Sequence, residues 1–176
     1  MPSEKPISVS RSRSEVPDNQ QERLKTIGWI TGYVDGEGCF SVSFIKNATT
    51  KSGWQIFPEF VVTQGGKSKA SLEILRNFFG CGRIFVNRRR DNHREHIYRY
   101  CVRSQEELRR VIIPFFAEHQ LRTAKQGDFK HFSFILNQMI LKKHLTKIGM
   151  QTIAKRVEKM NHKKASRFLE SSETKC

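Results

Sequence analysis

A helix that passes into a strand across one acidic, glycine-rich turn is the feature that most constrains how this chain folds. Residues 20–34 (QQERLKTIGWITGYV) predict the helix, with Asp18 or Asn19 as its N-cap. We expect the helix to end at residues 35–38 (DGEG), because the two glycines allow a sharp turn of the backbone. Residues 39–47 (CFSVSFIKN) alternate between an apolar face and a mostly polar one, which is typical of a half-buried strand.

The remaining segments indicate three more strands and four more helices. We predict strands at residues 54–64, 83–89 and 97–103, and helices at residues 68–79, 105–116, 123–143 and 146–159. Pro58 suggests that the second strand lies at a sheet edge or contains a bulge. The order predicts an α+β fold, an αββαββα core with a four-stranded antiparallel sheet packed on helices, plus a C-terminal helix. We divide the chain into a disordered N-terminal tail (1–19), a core domain (20–145) and a basic C-terminal helix and tail (146–176).

The charge balance indicates a polyanionic partner. The 176 residues contain 32 Lys and Arg against 17 Asp and Glu, a net charge of +15. An imbalance of this size favours nucleic acid, with an anionic membrane surface as the weaker alternative. No apolar run approaches the roughly 18 residues that a spanning helix requires. The four cysteines form no CxxC pair, which argues against a zinc module or a disulfide framework.

Three motifs in a fixed order resemble those of a known family. The first is ITGYVDGEG at the helix–strand junction (residues 30–38), and FVVTQ (60–64) and LRTAKQGDFKHF (121–132) follow it. Together they resemble the LAGLIDADG homing endonucleases, and the resemblance covers residues 20–145. A single short motif recurs by chance, whereas three in the right order are more specific. The resemblance implies that the helix carries a metal-binding acid and that the sheet binds DNA.

The resemblance implies a metal site at the end of the first motif. In the family, the last acid of the motif binds the metal together with the carbonyl of the preceding residue, which here are Glu37 and Gly36. The residue types agree with this role, because a helix C-terminus disfavours a carboxylate unless a cation compensates. Hard oxygen ligands suit Mg²⁺. The expected cofactor is Mg²⁺, with Mn²⁺ as a substitute and Ca²⁺ binding without supporting cleavage.

Two further catalytic residues follow from the same resemblance. Gln64 matches a polar residue that organises water near the metal, although an ordinary strand-terminal polar residue explains it equally well. Lys125 matches a basic residue near the scissile phosphate, where its charge would stabilise the transition state. Arg122 is the alternative for that role, and either side chain could instead make an ordinary phosphate contact.

Small residues on one face of the first helix predict a dimer interface. Gly28 and Gly32 lie four residues apart and share a helix face, which Thr31 and Asp35 flank. A helical glycine costs about 1 kcal/mol relative to alanine, so close packing against a second copy explains the pair better than chance. We also expect Asp35 to cap the helix end. The sequence has one such motif, and the resemblance implies a homodimer that cuts both strands of a roughly palindromic target.

The sheet is expected to supply the DNA-binding surface. In the family, β-strands lie along the major groove of double-stranded DNA, and strand alternation selects the outward residues. The predicted base-facing set is Ser41, Ser43, Ile45, Asn47, Gln55, Phe57, Glu59, Val61, Thr63, Arg83, Phe85, Asn87, Arg89, Arg99 and Arg103. The predicted phosphate contacts are Lys46, Lys51, Lys67, Lys69, Arg122 and the basic loop from Arg88 to Arg94. A one-residue shift at Pro58 would exchange the two faces of the second strand.

Together these features predict a site-specific DNA endonuclease that makes a divalent-metal-dependent double-strand break in intron homing and acts as a homodimer. The main alternative is an RNA-binding intron maturase with little or no nuclease activity, whose partner would be intron RNA. A non-catalytic DNA-binding repressor is a second alternative, but it leaves the acidic turn unexplained. The family implies an organelle, a chloroplast or a mitochondrion, with bacterial or archaeal cytoplasm as the alternative, and no membrane partner.

Overall fold

The computed structural model describes residues 17–88 and 96–160, and its first element is a long helix, α1 (Pro17–Glu37). α1 begins inside the segment predicted to be a disordered tail, and residues 1–16 of that tail lie outside the described range. Pro17 suits the first helical position, where no backbone N–H is needed. The helix also continues beyond its predicted end at Val34. Glu37 is therefore the last residue of α1, and the expectation that it follows the helix in a turn is wrong.

Four antiparallel strands form one sheet, as predicted. They are β1 (Gly38–Lys46), β2 (Trp54–Gly65), β3 (Arg83–Asn87) and β4 (Ile97–Val102). Their order across the sheet is β1-β2-β4-β3, so β2 and β4 are the inner strands. β3 ends at Asn87, earlier than predicted, and Arg89 lies outside the described residues.

Pro58 lies in an inner strand, but in a part of that strand with only one neighbour. β2 pairs with β1 from Trp54 to Val62, whereas its pairing with β4 begins at Phe60. Pro58 thus lies before the β4 ladder begins, and the missing N–H breaks no hydrogen bond on that side. The β1–β2 register runs without a bulge, so the predicted faces of β2 are correct.

Five further helices complete the described fold. They are α2 (Lys69–Phe79), α3 (Gln105–Glu107), α4 (Ile113–Glu118), α5 (Lys125–Ile140) and α6 (Lys147–Val157). The single helix predicted at 105–116 is instead interrupted by a π-helical turn, Leu108–Ile112. Pro114 has no N–H to donate to the carbonyl of Arg110, which explains why the regular hydrogen-bond pattern is lost just before it.

An aromatic cluster joins the inner face of the sheet to the helices. The ring of Phe40 in β1 lies 5.1 to 5.4 Å, between centroids, from the rings of Phe60, Phe116, Phe129 and Phe132. All five side chains are at most 5% exposed. Because these contacts hold β1 against α4 and α5, they also fix the opposite face of the sheet and the strand's junction with α1.

The C-terminal helix α6 packs into this same core. Met150, Ile153 and Ala154 are at most 2% exposed and belong to the core cluster. On its outer side, Arg156 lies over the ring of Phe134 at 4.5 Å and within 3.2 Å of the Nδ1 of His131. None of the helices in residues 17–88 and 96–160 is both long enough and apolar enough to cross a membrane.

Candidate active site and nucleic-acid interface

Glu37 lies at a junction where α1 ends and β1 begins with no connecting loop. Its side chain is exposed, as is Gly36 before it. Gly38, by contrast, is buried against the last turn of α1, and a Cβ at this position would lie 2.7 Å from the carbonyl oxygen of Val34. Any side chain at residue 38 would push the strand away from the helix. Glycine is therefore needed here to hold the Glu37 carboxylate at the end of the sheet.

Lys125, the first residue of α5, reaches back to the last carbonyls of α1. Its Nζ donates to the carbonyl oxygen of Asp35 at 3.0 Å, to that of Val34 at 3.5 Å and to that of Gly36. An ammonium group at this position offsets the negative end of the helix dipole. This contact explains why the helix persists through Gly36, where the sequence predicts a break, and it puts a positive charge beside Glu37.

The Asp35 carboxylate ties the end of α1 to the segment before α5. It accepts hydrogen bonds from the backbone N–H groups of Arg122 (2.8 Å) and Thr123 (3.1 Å) and from the Thr123 hydroxyl (2.5 Å). Burial by itself raises the pKa of this carboxyl, but the three hydrogen bonds and the charge of Lys125 outweigh it and lower the pKa overall. Asp35 is also predicted to lie at a dimer interface. In this structure its carboxylate accepts hydrogen bonds from residues of its own chain. It anchors the loop that positions Lys125, whereas the Arg122 side chain is exposed.

A polar group around Tyr33, which the sequence did not reveal, lies one helical turn before Glu37. The Tyr33 hydroxyl is 2.6 Å from the Oγ of Ser71, and its ring stacks on Trp29 at 4.9 Å. Burial raises the pKa of Tyr33; hydrogen bonds with Ser71 and Gln64 oppose the rise, and the charge of Glu37 adds to it. Gln64 and Glu37, both predicted to be catalytic, therefore both affect the pKa of this hydroxyl.

The exposed Glu37 carboxylate suits a hard divalent cation, and the Gly36 carbonyl, which already accepts a hydrogen bond from Lys125, has a second lone pair for the same ion. Mg²⁺ usually binds through one or two carboxylates, together with water and substrate phosphate. Glu37 and Gly36 supply one carboxylate and one carbonyl, and the part of the chain that the structure describes contains no cluster of three His, Cys, Asp or Glu side chains. The donors therefore fit a cation shared with a bound phosphate better than one enclosed by protein.

The exposed face of α1 is lined by glycines that nothing else in the described structure covers. A Cβ added at Gly28 or Gly32 would meet no atom within 4 Å. Leu24 and Trp29, on the same helix, are 59% and 41% exposed. Thr31 turns its hydroxyl back to its own helix, donating to the carbonyl four residues earlier at 2.8 Å. Contacts within the chain do not explain the two glycines. The helix–helix interface stays a prediction, and this open surface leaves room for a second helix.

The predicted outward residues share one face of the sheet, opposite the core. The exposed ones are Ser43, Ile45, Gln55, Thr63, Arg83, Phe85, Asn87 and Arg103, and the half-buried ones are Ser41, Phe57 and Arg99. Asn47 donates to the Oε1 of Gln55 at 2.9 Å and so closes the β1–β2 hairpin. Basic side chains on the strands and on the neighbouring segments are also exposed, namely Lys46, Lys51, Lys67, Lys69 and Arg88.

Glu59 and Val61 differ from this set, because they are only 9% and 7% exposed. The expectation of a direct base contact therefore fails for both. Glu59 is buried as a charged group because two arginines pair with it: Arg103 Nε lies 2.8 Å from Oε1, and Arg99 Nη2 lies 3.3 Å from Oε2. The hydrogen bond with Glu59 raises the pKa of Arg103. Burial, reinforced by Glu59, raises the pKa of the neighbouring Cys101 thiol to about 12.

Fold and site together define a class of protein. The sheet presents a broad outer face with exposed basic side chains, and one exposed carboxylate stands at the end of that face beside a lysine. A polyanion bound along such a sheet would bring one of its phosphates to the carboxylate, where a cation could act on it. This arrangement fits a protein that acts on nucleic acid.

Comparison with known proteins identifies the family. Residues 30–136 match the LAGLIDADG endonuclease family. The chain is 33% identical over 134 residues to a probable intron-encoded endonuclease 2 of Neurospora crassa. The matched segment covers 76% of this chain and 28% of that protein. It is 31% identical over 100 residues to the homing endonuclease I-ApeII of Aeropyrum pernix, covering 57% of this chain and 56% of that one. The chain belongs to the LAGLIDADG endonuclease family. It spans 25 to 28% of the length of three fungal relatives.

Solved structures of homing endonucleases share the fold and confirm its α+β class. The crystal structure of I-TnaI has 37% sequence identity and a TM-score of 0.73, covering 84% of this chain and 96% of that chain. I-SmaMI bound to cleaved DNA has 30% identity and a TM-score of 0.75, covering 84% of this chain and 48% of that chain. One copy of this chain thus corresponds to nearly all of the first protein and to about half of the second.

Proposed function

We propose that this chain is a site-specific endonuclease that cuts double-stranded DNA with a divalent cation held at Glu37. The observation that carries the proposal is the exposed carboxylate at the α1–β1 junction, with Lys125 bound beside it. The names of its relatives, which include intron-encoded endonucleases and I-SmaMI bound to cleaved DNA, support the activity. No feature of the described residues favours the RNA-binding maturase alternative.

The sheet binds the duplex in this proposal. Exposed side chains on its outer face, such as Arg83 and Asn87, have the donors and acceptors that pair with base edges in the major groove. The exposed lysines contact phosphates and supply affinity without sequence information. Because Glu37 is joined directly to β1, the position of the DNA on the sheet decides which phosphate reaches the carboxylate.

Glu37 and the Gly36 carbonyl would hold the cation, and Mg²⁺ bound there would supply Lewis-acid chemistry for hydrolysis of the phosphodiester. Lys125 donates to the last carbonyls of α1, so it would act on the negative charge that develops on the phosphate through its own positive charge. Gln64 and the Tyr33 hydroxyl hold water on the side of α2. Mn²⁺ substitutes for Mg²⁺, and Ca²⁺ binds without supporting cleavage. A structure of I-SmaMI with an uncleaved target in the presence of calcium ions supports this last point.

Two copies of the chain act together, each cutting one strand. The described residues contain one such acidic junction, and a double-strand break needs two displacements. The copies pack through α1, where Gly28 and Gly32 allow the helices to approach closely. The I-SmaMI chain is about twice as long as the segment matched, which supports a unit of two such domains. A two-fold dimer reads a roughly palindromic target.

The protein acts in intron homing within an organelle, a chloroplast or a mitochondrion. The names of its relatives support this proposal: they include intron-encoded proteins of fungi, and one of Podospora anserina is named for an intron of ND4. If the chain is encoded within an intron, the joined exon sequence is the expected cleavage target.

The test is the variant Glu37→Gln on DNA that carries this joined sequence. We expect specific binding in Ca²⁺ to persist and Mg²⁺-dependent cleavage to fall at least about 100-fold, the typical effect of removing one transition-state contact. Glu22→Gln is the matched control, because Glu22 is an exposed glutamate on the same helix. Cleavage by Glu37→Gln at the wild-type rate would refute the proposal.

A further inference from the structure

Glu59 is an acid on a face that is otherwise suited to a polyanion. A carboxylate on such a face repels phosphates, and this one is too buried to reach a base edge, with 9% of the residue exposed. Its two oxygens are instead used by Arg103 and Arg99, which remain 40% and 38% exposed. Glu59 cannot contact the ligand itself, but it binds Arg99 and Arg103, which can. It is therefore placed to position these two arginines.

Arg103 is the more firmly held of the two arginines. Its Nε donates to Glu59 at 2.8 Å, which leaves the outer edge of the guanidinium, Nη1 and Nη2, for other partners. Its Cζ lies 4.8 Å from the ring centroid of Phe85 and 5.6 Å from that of Phe57. The side chain also borders an open cavity of about 360 Å³, so its outer edge is not covered. The carboxylate and two rings thus fix the direction of a guanidinium before any ligand arrives.

We propose that Arg103 reads a guanine in each half of the DNA target and that Glu59 is the residue that positions it. Guanine presents two acceptors, O6 and N7, on its major-groove edge, and they match the paired donors of a guanidinium. An arginine that is already ordered loses less side-chain freedom on binding and discriminates more sharply. Arg103 follows β4, an inner strand of the sheet. This inference rests on the proposed DNA-binding function.

Arg99 has a different part in the same cluster. It pairs across the sheet with Thr63 on one side and Phe85 on the other, and a single 3.3 Å contact joins it to Glu59. Its charge, together with that of Arg103, outweighs the one negative charge of Glu59. The cluster therefore stays positive overall and does not repel DNA.

The experiment selects binding sites from a library of randomised duplexes with the full chain in Ca²⁺, followed by sequencing. Wild type, Arg103→Lys and Glu59→Gln are compared. Glu106→Gln is the matched control, because Glu106 also pairs with two arginines, Arg109 and Arg110, but in the helical segment that follows β4 and not in the sheet. A thermal unfolding transition shows whether each variant is folded. Because Arg103→Lys changes an exposed side chain, this variant still tests the proposal if Glu59→Gln does not fold.

We expect a selected site with one strongly preferred guanine in each half. Arg103→Lys should lower the preference for that guanine roughly 10-fold or more while keeping the rest of the site. Glu59→Gln should weaken the same position, and Glu106→Gln should change nothing. If Arg103→Lys lowers the affinity for all sequences equally, Arg103 contacts a phosphate and the proposal is overturned. It is also overturned if Glu59→Gln is folded and its preference for the guanine is unchanged. If wild type selects no site at all, the proposed function fails and this inference fails with it.

Discussion

Replacing Asp35 with alanine should destabilise the protein, because this carboxylate joins α1 to the segment before α5. Three hydrogen bonds end on it, two from backbone N–H groups and one from a hydroxyl. Each is worth about 1 kcal/mol net. Water can replace part of this loss at a half-buried site, so we expect Asp35→Ala to lower the free energy of unfolding by about 2 kcal/mol. For a chain of this size that corresponds to a fall in Tm of about 4 to 8 °C.

The same variant carries a pH signature. The folded state lowers the pKa of Asp35 below its ordinary value of 3.8, so the stabilisation is fully present above that pH and is lost as the pH falls through the folded pKa. The difference between wild type and Asp35→Ala should therefore shrink as the pH falls below 3.8. Urea unfolding followed by circular dichroism at several pH values measures it.

Glu73→Gln is the control for Asp35→Ala. Glu73 forms an exposed pair with Lys69 at 3.2 Å within α2, and such a pair contributes at most about 0.5 kcal/mol. A loss at pH 7 no larger than that of Glu73→Gln would refute the structural role of Asp35. So would a difference from wild type that stays the same size at pH 2, since a protonated carboxyl can no longer act as the charged acceptor.

Two further predictions concern the dimer and the catalytic lysine. Gly32→Leu should give a folded monomer by sedimentation at micromolar concentration, because its side chain enters open space in the single chain and would block a second copy. Gly127→Leu, equally open but on α5, should leave the mass unchanged. A Gly32→Leu dimer would contradict the α1 interface. Lys125→Met should keep DNA binding in Ca²⁺ and lose at least about 100-fold in Mg²⁺-dependent cleavage, whereas Arg122→Met should lower affinity only modestly. Equal cleavage defects in the two variants would remove the distinction between them.

The strands were predictable from the sequence because one face of each is buried. The alternation of residues 39–47 and 54–64 predicted the correct faces, and the structure confirms that no bulge at Pro58 reverses them. Alternation reports where a side chain points, but it does not report how much neighbouring side chains cover it. Glu59 was therefore placed on the correct face and wrongly expected to be exposed. Its partners are Arg99 in β4 and Arg103 just after β4, which lie 40 and 44 residues later in the sequence.

The end of α1 was not predictable from local residue preferences. Two glycines in DGEG favour a break, yet the helix continues because Lys125 binds its last carbonyls and Asp35 is held by the segment before α5. Both contacts come from residues almost 90 positions away in sequence. The motif LRTAKQGDFKHF did contain a signal, because the family resemblance implies a catalytic role for its Lys125. The resemblance does not indicate that Lys125 also stabilises the end of a helix.

The direct junction of α1 and β1 means that this protein tolerates substitutions on the sheet but not changes of chain length near Glu37. Substitutions on the outer face of the sheet alter contacts without moving the backbone, so new target sequences are accessible one side chain at a time. Chain length near Glu37 has no such freedom. One residue inserted in α1 would turn the carboxylate by about 100° around the helix axis and shift it by about 1.5 Å, and no loop exists to absorb the change. Recognition can therefore diversify by substitution, whereas the reaction centre resists insertion and deletion.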